Sequence, residues 1–216
     1  MRERVWLGVV LLSVLFGPPL RGLQVSTHDV VGVVVDSHGS PVAGASVEAF
    51  PIEKTGVGGE LSWTPTEKDG GFRLALRSGH YEIRAKAEKQ GFPDPNFLLS
   101  SDPSAGFPRI SVKTADVSGV RVTLGAKGGI IEGLLQGGTG QLLSQGKVTI
   151  RDARKPEVFV EVAVDKAAHF EFTVPRKPVL ISASAPGYST TYFGEKEELT
   201  LSEGEHRSVV LSLKVK

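Results

Sequence analysis

Apolar and polar residues alternate with a period of two along most of this chain. In Phe72-Arg-Leu-Ala-Leu-Arg77, the apolar Phe72, Leu74 and Leu76 share one side. From Tyr81 to Glu88, Tyr81, Ile83, Ala85 and Ala87 face one way and Glu82, Arg84, Lys86 and Glu88 the other. The same pattern returns at Val120, Val122 and Leu124, at Phe170, Phe172 and Val174, and at Val209, Leu211 and Leu213. That period describes strands with one buried and one wet face, the signature of antiparallel sheets. Val30 to Val35 is apolar on both faces and predicts a central strand. No segment beyond residue 22 carries a helical apolar stripe of ten residues or more. Glycine and proline fall between the alternating runs, where turns need them. The expectation is an all-β protein built of antiparallel β-sandwiches.

The pattern also occurs twice. "VVGVVVDSHGSPVAGASV" lines up with "IIEGLLQGGTGQLLSQGKV", so that Gly32, Gly39 and Val47 recur 101 residues later as Gly133, Gly140 and Val148. Phe72, Ile83 and Ala85 recur 98 residues later as Phe170, Ile181 and Ala183. "VSGVRVTL" and "EHRSVVLSL" close the two halves alike, and "GAKGG" (125–129) lies between them. Two sandwiches, residues 23–126 and 127–216, joined by a glycine-rich connector, follow from this, each expected to hold its own core.

The first 22 residues read differently. Arg2 and Arg4 precede an apolar run, Val5–Phe16, that Gly17-Pro-Pro then stops. The run is too short for a bilayer span, which takes roughly 20 residues. It reads as a signal peptide, with Gly22 as one candidate cleavage site, or as a retained signal anchor. Its removal leaves the chain close to neutral and without a transmembrane segment. Near-neutral charge gives no electrostatic case for nucleic acid. Cysteine is wholly absent, which excludes disulfides and lipid anchoring through a thiol. An exported chain of this size without disulfides fits a bacterial cell envelope: secreted, periplasmic or cell-surface.

One short stretch invites a chemical reading. "DSHGSPVAGASV" (36–47) sets an acid, two serines and a histidine close together. Asp36 can cap nearby backbone N–H groups, Gly39 can supply a positive φ, and Pro41 fixes its own φ before the next strand. Three residues so close along a loop do not place a base beside a nucleophile with a third group orienting that base. The stretch therefore reads as a turn. Its wider frame is Gly32, Asp36, Gly39, Pro41-Val-Ala-Gly-Ala45, Val47, Thr66, Asp69-Gly-Gly-Phe72, and Gly79-x-Tyr81-x-Ile83-x-Ala85. This frame resembles the carboxypeptidase regulatory-like domain, also called the carboxypeptidase D regulatory or transthyretin-like domain, over residues 28–124. The second half keeps the strands and Ala185-Pro-Gly-Tyr188, but Gly137 stands at the Asp36 position and Leu142-Leu-Ser-Gln-Gly replaces Pro-Val-Ala-Gly-Ala. It is similar to a degenerate second copy. The resemblance implies Greek-key sandwiches of the transthyretin type and an accessory rather than catalytic role. The enzyme branch of that fold, the hydroxyisourate hydrolases, ends in Tyr-Arg-Gly-Ser, whereas this chain ends Leu213-Lys-Val-Lys216.

Other chemistry is sparse. His28, His38, His80, His169 and His206 are scattered, with no paired zinc spacing. His80 and Glu82 share a strand face, as a surface pair or one edge of a metal site. Asp69 in "DGGF" reads as a turn residue rather than a calcium ligand. No catalytic residue, metal or cofactor is assigned. Aromatic rings give the better lead, because an exposed ring beside polar groups can stack on a sugar or anchor a peptide. Trp63, Phe97, Tyr192 and Phe193 are the candidate binding residues, while Phe92 and Tyr188, each after a glycine, cap the sandwich cores. The stretch 88–108, with four prolines, is long for a sandwich connection. The expected function is a non-enzymatic binding or spacer module at the cell envelope with a protein or glycan partner. The alternatives are a carbohydrate-binding module using loop aromatics and an unrecognised transthyretin-like hydrolase.

Overall fold

A computed structural model of the chain describes residues 26–52, 62–101 and 104–216, without the side chains of 99–101. The predicted signal peptide, 1–22, lies outside the described residues. Among those described, no helix is long and apolar enough to cross a membrane.

The first half holds β1 (Thr27–Val35), β2 (Ser46–Pro51), β3 (Ser62–Pro65), β4 (Gly71–Arg77), β5 (Gly79–Lys86), helix α1 (Pro95–Ser101), β6 (Arg109–Val112) and β7 (Val117–Thr123). The second holds β8 (Gly129–Gly137), β9 (Lys147–Asp152), β10 (Phe159–Ala163), β11 (His169–Val174), β12 (Val179–Ser184), β13 (Thr191–Tyr192) and β14 (His206–Leu213). In the first sandwich a sheet ordered β4-β1-β7 packs on one ordered β3-β2-β5-β6. In the second, β11-β8-β14 packs on β10-β9-β12-β13, the same order strand for strand.

The period-two pattern sorts side chains as expected. Phe72, Leu74 and Leu76 of β4 are buried, while Arg73, Ala75 and Arg77 are exposed. β1 is the central strand of its sheet. The pairing departs from a purely antiparallel plan in one respect: β7 runs parallel to β1, and β14 parallel to β8. The closing strand of each sandwich crosses over from the other sheet and lies beside the strand that opened it, which forces the parallel sense.

Two glycines explain how the central strands pack. A Cβ on Gly32 would run into the carbonyl of Val120 and stand 2.6 Å from Phe72 Cζ. A Cβ on Gly133 would run into the carbonyl of Val209 and stand 2.8 Å from Phe170 Cζ. In both sandwiches the ring of a phenylalanine on the neighbouring strand comes close to a position that only glycine leaves open.

A helix also appears where none was predicted. Asp94 Oδ1 accepts the N–H of Asn96 at 2.8 Å, and the Asp94 carbonyl accepts from Phe97 and Leu98. Pro95 at the first helical position needs no donor partner. Within α1, Leu98 joins the first core, with Phe92, Ile83 and Val122. Its neighbour Phe97 joins the second core, with Ile131, Phe172 and Leu201. The Phe97 ring shares a cavity of about 30 Å³ with Val160 and Val162 of β10 and Phe172 of β11. It thus enters the open side of the second sandwich between the edge strands of its two sheets.

The connector is held as well. Gly128 donates its N–H to the Gly91 carbonyl and accepts from Gly204, both at 2.9 Å. A Cβ on Gly128 would collide with the Val174 carbonyl, and one on Gly129 would stand 2.5 Å from Leu201 Cβ. Thr173 Oγ1 donates to the Glu88 carbonyl at 3.2 Å. These glycines serve close approach between the connector and the second sandwich.

Replacing Gly133 by Ala should destabilise the second sandwich by about 2 kcal/mol, because overpacking forces backbone or Phe170 to move. Denaturant melts check this, with Gly140→Ala as a contrast in which strain alone acts, since Gly140 has φ of +87° and open space around it.

Candidate functional site

The stretch Asp36–Pro41 is a turn, built by Asp36 and Gly39. Asp36 Oδ1 accepts the N–H groups of His38 and Ser40, both at 2.8 Å. The Asp36 N–H donates to the Ser40 carbonyl, and Gly39 sits at φ of +86°. The Ser40 N–H, with those of His38 and Gly39, holds the Asp36 carboxyl below its usual range despite an opposing contribution from burial. Ser37 Oγ lies 3.5 Å from His38 Nδ1, the outer limit of a hydrogen bond. Asp36 binds backbone, so it does not orient the imidazole as a triad acid would. Asp69 behaves alike: its Oδ1 accepts the Gly71 N–H at 2.9 Å, beside Gly70 at φ of +75°.

What the sequence does not reveal is where the first turn points. Asp36, Ser37 and His38 form one wall of a cavity of about 740 Å³ between the two sandwiches. Lys127 of the connector lines it, and Arg176, Lys177 and Glu203 come from the second sandwich. Phe92 and Leu98 supply apolar lining.

The charges here are unequally satisfied. Lys177 Nζ donates to Asp152 Oδ2 at 2.5 Å, and Asp152 Oδ1 accepts the N–H groups of Arg154 and Lys155. The Asp152 side chain is 2% exposed. Burial alone would raise its pKa, but Lys177 and the two N–H donors outweigh it and hold it low. Arg176 and Glu203, both half-exposed, stand 4.0 Å apart. Lys127 Nζ sits 5.5 Å from the Phe92 ring centroid and has no ion pair among the described residues. Beside the small cavity at Phe97, burial and then the charge of Asp94 raise the pKa of Glu88. Among the described residues, no three acids or histidines come together as a metal site. Glu82, the partner considered for His80, is instead engaged by Arg84 at 2.6 Å and Arg109 at 3.1 Å.

The four aromatic candidates do not converge. Trp63 is 65% exposed on edge strand β3, opposite Glu48 of β2. Phe97 is 1% exposed, because α1 turns its ring into the second core. An exposed loop position for that ring is therefore corrected to a buried one. Tyr192 is 36% exposed on β13, with Lys196 Nζ 5.2 Å from its ring centroid. Phe193 is half-buried and packs on the second core. Sequence reasoning missed Lys127, Arg176, Lys177 and Glu203. Their only common signal is that 127 and 176–177 sit at the edges of the connector and of a strand-ending turn.

Ser37→Ala and His38→Ala should each change stability by under about 1 kcal/mol, since both side chains are exposed and outside the turn's own bonds. Gly39→Val should destabilise more than either, because a β-branched residue is strained at positive φ. Denaturant melts of the three rank them. Asp152→Ala should cost about 3 kcal/mol by leaving Lys177 without its partner. The native pKa of Asp152 lies below its unfolded value, so its stabilisation is full above the unfolded pKa. It fades as pH falls through the native one. Melts taken from neutral to acidic pH should therefore slope less in Asp152→Asn than in the wild type.

Comparison with known proteins gives the following. No curated protein matches. Among solved structures, the chain is similar to the Bacillus anthracis TIE protein, at 19% identity and TM-score 0.34, covering 88% of this chain and 34% of that one. It is similar to a streptococcal ancillary pilin at 12% identity and TM-score 0.41, covering 89% of this chain and 63% of that one. The shaft pilin SpaA of Lactobacillus rhamnosus GG aligns at 11% identity and TM-score 0.32, covering 88% and 98%. The chain thus spans about a third and just under two thirds of the first two structures. The family model for the carboxypeptidase regulatory-like domain matches residues 29–125, from within β1 to just past the end of β7.

Proposed function

We propose that this chain is an exported, non-enzymatic module of two tandem carboxypeptidase regulatory-like sandwiches, the second degenerate, serving as a stiff spacer and binding element at the cell envelope. The observation that carries the reading is Phe97, a residue of the first half seated in the core of the second. A flexible pair of domains needs no such residue. A spacer does, because it must hold two ends at a fixed distance and angle. The bonds of Gly128 and the contact of Thr173 with Glu88 support the same reading. The identical strand order of the two sandwiches, with Gly32 and Gly133 in matching surroundings, supports two copies of one unit. Export rests on Arg2, Arg4 and the apolar run Val5–Phe16. N-terminal sequencing of cytosolic protein that still begins at Met1 would remove that part of the reading.

A carbohydrate-binding role is favoured by one observation. Trp63 is the most exposed aromatic ring among the described residues, and its cross-strand neighbour Glu48 pairs with Lys86 at 3.5 Å. A ring flanked by polar groups is a sugar-stacking arrangement. A glycan array probed with the wild type and Trp63→Ala separates the two readings, since only sugar binding predicts signal that Trp63→Ala abolishes.

The stiff-spacer reading predicts that the sandwiches tumble as one body. In ¹⁵N relaxation both halves should report the same correlation time. Phe97→Ala should destabilise the second sandwich by about 3 kcal/mol, the usual loss for a buried phenylalanine, and leave the first nearly unchanged. Two distinct correlation times in the wild type would sink the reading.

A further inference from the structure

We propose that the cleft between the sandwiches binds a small molecule bearing an oxyanion, a carboxylate or a phosphate, held by Lys127 and Arg176 against the wall formed by Ser37 and His38. The inference rests on the stiff-spacer reading, because the cleft exists only while the two sandwiches keep one arrangement. Its volume, about 740 Å³, falls in the range of roughly 300–1,000 Å³ usual for small-ligand sites. It joins the apolar Phe92 and Leu98 to a polar rim, the mixture that such sites use to enclose and orient a ligand.

The sign of the ligand follows from which charges are already satisfied. Lys177 is committed to buried Asp152. Asp36 is committed to the backbone of its own turn. Among the described residues the Lys127 ammonium has the Phe92 ring at 5.5 Å and no ion pair, and Arg176 has Glu203 no closer than 4.0 Å. Arg121 adds a further cation beside the turn, its Nη2 lying 3.3 Å from where a Gly39 Cβ would stand, and it has no ion pair among the described residues. An incoming oxyanion would therefore meet cations with little competing carboxylate. A guanidinium and an ammonium suit it, the first by its planar fork and the second as a point charge. Of the two carboxylates that line the cleft, Asp36 is bound to its own turn, and the half-exposed Glu203 faces Arg176 at 4.0 Å, so two lining cations with loose contacts stand against one such carboxylate.

The repeat supplies a second argument. The turn is built twice with the same backbone bonds: Asp36 N–H to the Ser40 carbonyl, and Gly137 N–H to the Gln141 carbonyl. Gly39 and Gly140 share φ of +86° and +87°. The second turn does this with Gly138 and Thr139, so the fold requires neither Ser37 nor His38. Only the turn that faces the cleft carries an imidazole, and among the described residues the one hydrogen-bond contact of the Ser37 and His38 side chains is with each other at 3.5 Å, whereas the Thr139 hydroxyl of the second turn donates to Gln141. Both retain hydrogen-bonding capacity for a ligand.

The test is a ¹H–¹⁵N titration of the mature chain at low salt with inorganic phosphate, with citrate, and with glucose as a neutral control. Saturable shifts at the amides of Ser37, His38, Lys127 and Arg176 with phosphate or citrate, and none with glucose, are expected. The anion that saturates identifies the head group. The double variant Lys127→Gln, Arg176→Gln should weaken binding at least about tenfold, with spectra otherwise unchanged. Lys113→Gln should bind as the wild type, because Lys113 lies beside Ser78 at the opposite end of the first sandwich. Shifts that never saturate, or that the double variant retains, would overturn the proposal as ordinary surface electrostatics. A chain that tumbles as one body yet shows no saturable shift would overturn it while leaving the spacer reading intact. Independent tumbling of the halves would sink both.

Discussion

The arrangement of this protein depends on one packing interaction, the burial of Phe97 in a core that its own sandwich does not supply. Adjacent residues on a helix diverge by about 100° around the axis. A short helix lying between two cores can therefore give one residue to each, as Leu98 and Phe97 do. Full burial of such a side chain is worth roughly 1.5–3 kcal/mol. That is small beside a sandwich core but large for a contact between two neighbouring units. It acts at the point where the second sandwich is open, between β10 and β11, so releasing the helix would expose apolar surface on both partners. Hydrogen bonds at Gly128 and Thr173 then fix what Phe97 brings together.

Electrostatics at the same junction depend on this fixed geometry. Asp152 and Lys177 form a partly buried pair inside the second sandwich and need no partner from the first. Lys127, Arg176 and the Asp36 turn are different. Each is ordinary on its own surface, and they share a cavity only because the sandwiches hold one orientation. Glu88 and Asp94 lie on the other side of the contact, where burial and mutual repulsion raise the Glu88 pKa. The cation-rich groups line the open cleft and the acids flank the aromatic wedge.

Much of this was legible in the sequence, for a definite reason. A period of two records which face of a strand is buried, and each such run named from the sequence falls mainly in a strand with its apolar set inward, although the run from Tyr81 leaves its strand after Lys86 and Glu88 opens a 3-10 turn. The matched offsets of Gly32 with Gly133 and Phe72 with Phe170 record a close approach that needs both residues. Helix α1 escaped because seven residues are too few to show a helical period. The signal was local instead: Asp94 followed by Pro95 is a helix start. Phe97 looks like a loop ring in the sequence because periodicity says nothing about a side chain that crosses to another core. The connector shows in the sequence only as glycine-rich, because composition does not distinguish a glycine that gives freedom from one that admits a neighbouring carbonyl. The cleft was illegible in principle, since residues 37–38, 127 and 176 share no pattern and meet only through the arrangement that Phe97 sets.

The turn at Asp36–Pro41 shows how one short stretch divides its labour. Asp36 and Gly39 carry the backbone: one satisfies two N–H groups, the other supplies a conformation that L-residues rarely adopt. Ser37 and His38 contribute almost nothing to that, and the second sandwich replaces them with Gly138 and Thr139 in a turn of the same form. An acid, a serine and a histidine in sequence thus look like chemistry while their geometry is that of a turn. Yet a turn that needs only two of its residues leaves the other two free in type. Their side chains line a cavity of about 740 Å³. The acid-serine-histidine reading fails because Asp36 faces backbone, and the same commitment of Asp36 leaves the cations across the cleft without a carboxylate from this wall.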